Sequence, residues 1–408
     1  MTELVPRQPH PADFPAGPAP IDLKRWAEAD RAARPVRVER LRRRLATEGV
    51  DAYFGLRAEH MRYLTGFKLR DGEDKLAGQS GRFLVSGDEI VVLADSRYRL
   101  QAHEQAPEAR IENTTYDLAA IWPALVKSVG ARRVAVETAV ITHELWEQLA
   151  QAAPDVEIVP VAGWVEADRA VKEPAELERI RSACGVADRA LAGLLRRIKP
   201  GVSEHELALA LEWEIRTGGA EALAFPVACL SGPNAALPHG VPGPREVCLG
   251  EVLLFDFGAQ VDGYRSDMTR TLFVGQPSAR DLEIYAIVAR AQNACVDLLR
   301  AAVEQGSTPD GRAADGAARG VIEAAGHGEH FGHGTGHGIG LATHEAPSLS
   351  RVAAQEPLPS PTVFSVEPGI YLDNETGVRI EDLISIDAAA RKLEYLTTFP
   401  REVLVVGV

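Results

Sequence analysis

EVLLFDFGAQVDGYRSDMTRTLFV, Glu251–Val274, is two apolar runs joined by an Asp-Gly pair, and a two-residue turn at Asp262-Gly263 makes it an antiparallel hairpin. Counting outward from that turn sets Asp256 opposite Thr269, with Asp267 its diagonal neighbour on the same face. The plan recurs in TVFSVEPGIYLDNETGVRIEDLISI, Thr362–Ile386, where a turn centred near Asn374 puts Glu367 opposite Glu381 and Arg379 on the face of Glu381. Pro368 has no N–H to give a ladder, so the first strand must lose its pairing beside Glu367. A pair of helices precedes each hairpin. In the first, Leu177, Ile180, Cys184, Ala187, Leu191, Leu194 and Ile198 recur at helical spacing up to Pro200-Gly201, and Ser203 with Glu206 caps the next helix. In the second, Tyr285–Gln305 and a helix ending at Gly326 flank Gly306. Residues 166–408 therefore read as an α+β domain of two similar halves, related by a pseudo-twofold.

Between the second helix pair and the second hairpin lies FGHGTGHGIGLATHE, Phe331–Glu345. If extended, its alternating glycines leave one face bare, while His333, Thr335 and His337 line the other; a flexible loop fits the same composition. Asp256, Asp267, Glu367, Glu381 and His337 together offer five hard or borderline ligands. So many anions in apolar surroundings need neutralising, and the set suffices for two divalent ions about 4 Å apart, the arrangement of a dinuclear hydrolytic site.

The N-terminal half is built differently. Residues 1–20 carry repeated proline and read as a loosely held arm. Residues 21–165 read as an α/β domain: a basic helix whose arginines form a solvated face, then the strands DAYFG, EIVVLAD, RRVAVE and VEIVPV alternating with helices near Ser96–Gln105, Leu118–Val129 and His143–Ala152. Phe67–Arg82, charged and Gly-punctuated, is either a surface loop or an active-site lid. A net charge of −14 argues against nucleic acid or an anionic membrane as partner. Four scattered cysteines give no disulfide framework or zinc knuckle, and the chain has neither a signal peptide nor a membrane-spanning run, so a cytoplasmic protein is expected.

The order Asp256, Asp267, His337, Glu367, Glu381, embedded with NAALPHG (234–240), TGHGIGLATHE (335–345), VEPGIY (366–371) and GVRIED (377–382), resembles the creatinase/aminopeptidase, or pita-bread, metallopeptidases. Within them it is similar to the Xaa-Pro peptidases, prolidase and aminopeptidase P, and GLRAEHMRYLTGF (55–67) looks like their creatinase-like N-terminal domain. The resemblance implies two metal ions, manganese first and cobalt or zinc otherwise, bridged by Asp267 and Glu381, with Asp256 completing one and His337 with Glu367 the other. It also implies proton transfer by Glu367, carbonyl binding by His239 and His344, and orientation of a carboxylate and the substrate by Arg379. His333 and Tyr371 are candidate substrate contacts, and a homodimer is expected. The substrate would be a small peptide with proline second. Arg70, beside Arg62 and Arg82, is a candidate for meeting a free C-terminal carboxylate, which favours Xaa-Pro dipeptidase over aminopeptidase P. A ligand-binding module without catalysis is the remaining alternative.

Overall fold

The computed structural model describes residues 8–70, 72–73, 78–114 and 117–407. They form two compact units, Lys24–Asp168 and the rest. Of the Phe67–Arg82 segment, residues 71 and 74–77 lie outside the described residues.

After α1 (Pro20–Glu48), the first unit runs β1 (Ala52–Gly55), α2 (Ala58–Thr65), β2 (Phe83–Ser86), β3 (Ile90–Ala94), α3 (Arg99–Gln105), β4 (Arg110–Asn113), α4 (Leu118–Ser128), β5 (Arg133–Glu137), α5 (His143–Ala152), β6 (Glu157–Val161) and α6 (Trp164–Ala170). Its mixed sheet has the order β4-β3-β2-β1-β5-β6. Burial drives it: Phe54, Val91, Trp122, Val134, Val136 and Leu149 make one core, each large side chain contributing about 1.5–3 kcal/mol. Two expectations need correction. Arg37 is not on a solvated face; it is 2% exposed, donating to Tyr63 O at 3.0 Å and to Asp30 at 3.2 Å with its guanidinium 4.2 Å over the Tyr63 ring. A helical pattern counts charges but cannot say which find acceptors inside. β2, β4 and α2 are further elements, each too short for its periodicity to stand out.

The second unit follows as α7 (Pro174–Leu194), α8 (Glu204–Thr217), β7 (Ala222–Leu223), β8 (Ala228–Ser231), β9 (Val252–Phe257), β10 (Ala259–Val261), β11 (Tyr264–Arg265), β12 (Met268–Val274), α9 (Ala279–Glu304), α10 (Gly311–Ala324), β13 (Gly336–Gly338), β14 (Glu345–Leu349), β15 (Thr362–Val366), β16 (Gly369–Leu372), β17 (Thr376–Arg379), β18 (Asp382–Asp387), β19 (Lys392–Tyr395) and β20 (Val405–Val406). The arms of the first hairpin, β9 and β12, lie in the sheet β20-β12-β9-β8 and its tip in the sheet β11-β10-β7; the arms of the second, β15 and β18, lie in the sheet β14-β13-β15-β18-β19 and its tip is the separate two-stranded β16-β17. Ile180, Cys184, Ala187, Leu191 and Leu194 of α7 are fully buried or nearly so, and the Ser203/Glu206 capping box starts α8. Ile284, Val288, Cys295 and Leu299 of α9 share a core with Ala314, Ala318 and Ile322 of α10.

The proline-rich arm is also corrected, for residues 8–19. Phe14 stacks on Phe399 with ring centroids 5.9 Å apart, and Arg189 donates to Pro11 O at 3.0 Å. At Gly17 a Cβ would come within 2.6 Å of Gly218 O. Prolines and a phenylalanine can be held when another part of the chain offers a surface, which composition does not reveal.

Candidate metal centre

Each hairpin folds as its turn dictates. Asp262 and Gly263 both take positive φ (41° and 73°), the twist a two-residue hairpin needs, and Asp256 pairs with Thr269. In the second, Asn374 has φ 61°, Val366 pairs with Asp382, and Gly369 with Arg379. The ladder is interrupted at Glu367-Pro368 and at Ile380-Glu381, which frees both glutamates to turn off the sheet. β12 joins the halves: Glu381 N–H donates to Thr269 O at 3.1 Å, and Thr271 Oγ1 exchanges hydrogen bonds with the Arg379 backbone.

His337 enters on β13, where close packing enforces glycine on both sides. A Cβ at Gly336 would sit 1.9 Å from Ser365 O, and one at Gly338 2.1 Å from Ala346 O. The His337 Nδ1 lies 3.0 Å from Gly338 O; a carbonyl only accepts, so Nδ1 carries the proton and Nε2 faces the acids. That Nε2 is 3.3 Å from Glu367 Oε1 and 3.6 Å from Asp267 Oδ2. Ligand atoms of Asp267, His337 and Glu381 all lie within 4.8 Å of one another.

The electrostatics of this cluster call for a cation. Burial, then the neighbouring acids, push the Asp267 and Glu381 carboxyls well above the usual range. Asp256 is raised by burial despite its pairing with Arg379 Nη2 at 2.5 Å. Burial also opposes charge on Glu367, but the His337 hydrogen bond and charge outweigh it and bring its pKa down to about 2, while His337 rises to about 9. Among protein groups, His337 thus stands in as a counterion. Asp256 Oδ1 and Glu381 Oε1 are buried with no hydrogen-bond partner among the described residues. Acceptor oxygens that converge without donors, beside one imidazole, fit a hard divalent cation.

The other expected residues are distributed as follows. His344 is exposed by surface area, its ring centroid 4.2 Å from that of His337; partial desolvation, then the His337 charge, lower its pKa, with His239 adding to the effect. His239 is exposed on a loop whose Pro238 O accepts from Arg379 Nη1 at 3.4 Å. Arg379 Nη1 also donates to Tyr371 Oη at 2.8 Å, so the tyrosine hydroxyl turns its own hydrogen to His333 Nε2, 2.9 Å away. Both His333 nitrogens are therefore engaged, Nδ1 with Gly334 O at 2.8 Å. Arg70 belongs to the other unit, exposed, with its N–H on Glu73 Oε2 at 2.9 Å.

Three supporting residues went unread in the sequence. Thr269 donates to Glu381 Oε2 at 2.7 Å and accepts from Arg379 Nε at 2.8 Å; its place opposite Asp256 was the available signal. Ser365 donates to Glu367 Oε1 at 2.9 Å and accepts from His337 N at 3.1 Å, and it lies two strand positions before Glu367 on the same side. Glu345, next to His344, is held by Arg169 and Lys172, partners that nothing local announces.

The model of metallopeptidase family M24 matches residues 178–388, and that of the creatinase/prolidase N-terminal domain matches residues 37–171. The chain belongs to metallopeptidase family M24. It is a peptidase with a creatinase-type N-terminal domain and a pita-bread C-terminal domain, and membership implies divalent metal ions. The chain is 30% identical over 368 residues to an Xaa-Pro dipeptidase of Pyrococcus furiosus, covering 90% of this chain and 99% of that one. Among solved structures it is similar to an Xaa-Pro dipeptidase from Bacillus anthracis (34% identity, TM-score 0.81, 91% and 99% coverage). It is also similar to an X-Pro aminopeptidase from Thermotoga maritima (32% identity, TM-score 0.77, 91% and 100% coverage). No helix among the described residues is long and apolar enough to cross a membrane.

Proposed function

We propose that this M24 peptidase hydrolyses the Xaa-Pro bond of dipeptides with two divalent ions, manganese first, at Asp256, Asp267, His337, Glu367 and Glu381. The observation carrying this reading is the grouping of ligand atoms of Asp267, His337 and Glu381, together with buried oxygens of Glu381 and Asp256 that have no hydrogen-bond partner among the described residues. Bound ions would supply Lewis-acid polarisation of the scissile carbonyl and a lowered pKa for water. Asp267 and Glu381, the most buried acids of the set at 4% and 2% exposure, are suited to bridging. Asp256, His337 and Glu367 are more open. Glu367 would take the proton of the attacking water and return it to the proline nitrogen, which leaves as an amine. His239 and His344 would donate to the carbonyl oxygen as it gains charge. Arg379 orients Asp256 directly and Glu381 through Thr269, while Tyr371 and His333 wall the same face. Since both His333 nitrogens are already used, its contribution to substrate would come through the ring.

His239→Ala and His344→Ala are each expected to lower kcat/KM by about 10²-fold, the cost of an oxyanion donor, with metal content unchanged. Stopped-assay kinetics with metal analysis checks this; normal kinetics in both variants would remove them from the mechanism.

The preference for dipeptides is supported by the names of the archaeal and bacillar relatives, and the Thermotoga neighbour supports the second reading, removal of the first residue from longer Xaa-Pro peptides. One assay decides: Xaa-Pro against Xaa-Pro-Yaa, each with and without added manganese. We expect the dipeptide to be cleaved at least ~10-fold more efficiently, a difference of ~1.4 kcal/mol in transition-state stabilisation. Comparable cleavage of tripeptides transfers the chain to the aminopeptidases, and metal binding without hydrolysis of either makes it a binding module. If Arg70 meets the free carboxylate, Arg70→Ala raises KM for Xaa-Pro about 10-fold and leaves KM for Xaa-Pro-NH₂ unchanged. A cytoplasmic homodimer completes the proposal, and a monomer in solution scattering at micromolar concentration would count against the assembly.

A further inference from the structure

The glycine-alternating segment cannot order itself. Its backbone runs too close to neighbouring strands for side chains on one face: a Cβ at Gly334 would lie 3.0 Å from Leu349 O, besides the tighter approach at Gly336. Glycine also loses more conformational freedom on folding than any other residue. From Gly336 onward β13 is held by its pairing with β14 and β15; ahead of it, over 331–335, the restraint comes from α10. Asp315 and Arg319 are 1% and 6% exposed and form a two-pronged ion pair, Nε to Oδ2 at 2.7 Å and Nη2 to Oδ1 at 2.8 Å. The guanidinium then spends its remaining reach on the segment, Nη1 on Phe331 O at 2.9 Å and Nη2 on His333 O at 2.6 Å, and lies 4.1 Å over the Phe331 ring. Asp315 Oδ1 accepts from both Thr335 N (3.1 Å) and Thr335 Oγ1 (2.9 Å). On its other side Thr335 O accepts the Glu367 N–H at 2.8 Å.

We propose that Asp315 and Arg319 are positioning residues of the active site, fixing His333 through its carbonyl and Glu367 through Thr335. Neither side chain touches the acids or reaches the open side of the site. Their effect passes along two short routes: Arg319 to His333 to Tyr371, and Asp315 to Thr335 to Glu367. An arginine is required because its planar fork spreads donors over three nitrogens and so holds a carboxylate and two carbonyls at once; a lysine preserves the charge opposite Asp315, but its three donors radiate from one nitrogen and do not span those acceptors. The catalytic part of this inference rests on the proposed roles of Glu367 and His333, whereas the ordering of the segment does not.

The test uses the full chain in two measurements. Amide hydrogen exchange on the metal-free protein compares wild type with Arg319→Lys, and with Thr335→Val as a milder second variant should the first fail to fold. Exchange at 332–335 should rise about 10-fold or more, with amides of β18 and α9 unchanged. Kinetics on the manganese-loaded enzyme should then give kcat lower by about 10-fold or more per folded molecule, the size of effect that supporting groups exert, with KM moved less. Unchanged exchange in the segment overturns the clamp, and increased exchange with unchanged kcat overturns its role in positioning. If the wild type cleaves no Xaa-Pro peptide, the functional reading fails separately, and the exchange result alone decides the clamp.

Discussion

Asp267→Asn is expected to remove the metal from the site and to lower peptidase activity by about 10³-fold or more, because ligand-held metal supplies several kcal/mol of transition-state stabilisation. The substitution keeps the shape of a side chain that is 4% exposed, so its effect is one of charge. In the protein without metal, Asp267 carries a carboxyl whose pKa is pushed well up by burial and then by Glu381, Asp256 and Glu367. A neutral amide relieves that repulsion. The metal-free variant should therefore melt at or above the temperature of the metal-free wild type, whereas the rise in melting temperature on adding manganese, large in the wild type by mass action, should disappear. Calorimetry with and without metal, together with metal analysis, reads both effects. Retention of full metal content and turnover would show that Asp267 is not a ligand, and a lowered melting temperature in the metal-free state would show that its charge is not the liability described.

The second large effect lies one residue from His344. Glu345 pairs with Arg169 and, at 2.6 Å, with Lys172, and accepts the Ala342 N–H at 3.3 Å. All three charged side chains are at most 6% exposed. Glu345→Gln removes the carboxylate that Arg169 and Lys172 both face in a buried setting, and breaking such an ion pair costs about 3–5 kcal/mol of folding stability; denaturant unfolding of the metal-free protein measures it. Burial alone would raise the Glu345 pKa, but Arg169 and then Lys172 outweigh burial and hold it below the ordinary value. A carboxylate depressed in the folded state contributes stability above its unfolded pKa, about 4.3, and loses that contribution as pH falls through the folded pKa. The gap between wild type and variant should therefore be constant at neutral pH and shrink below about pH 4. A gap that stays the same at low pH would mean that the loss is steric. Because Glu345 begins β14 directly after His344, the surviving folded variant should also lose kcat/KM.

The sequence by itself determined what strong turn signals and long periodic runs carry. Asp262-Gly263 sets the register that pairs Asp256 with Thr269, and the turn at Asn374 sets the one that pairs Val366 with Asp382, because a tight turn leaves a ladder only one way to close. Pro368 and the ladder break beside Glu367 go together for the same local reason. The burial of Ile180, Cys184, Ala187 and Leu191 follows from helical spacing alone.

Only the tertiary structure decided which distant groups meet. Arg37 found Tyr63, Phe14 found Phe399, and Glu345 found Arg169 and Lys172 across intervals that no periodicity spans. The same holds inside the site, where Thr269 ties the first hairpin to Glu381 of the second, and α10 fixes the segment carrying His333 and His337. Turn chemistry and periodicity act over a few residues and leave their signature in the sequence. A buried hydrogen bond between remote residues is selected by the packing of whole elements, so its partners exist as a pair only once those elements have come together.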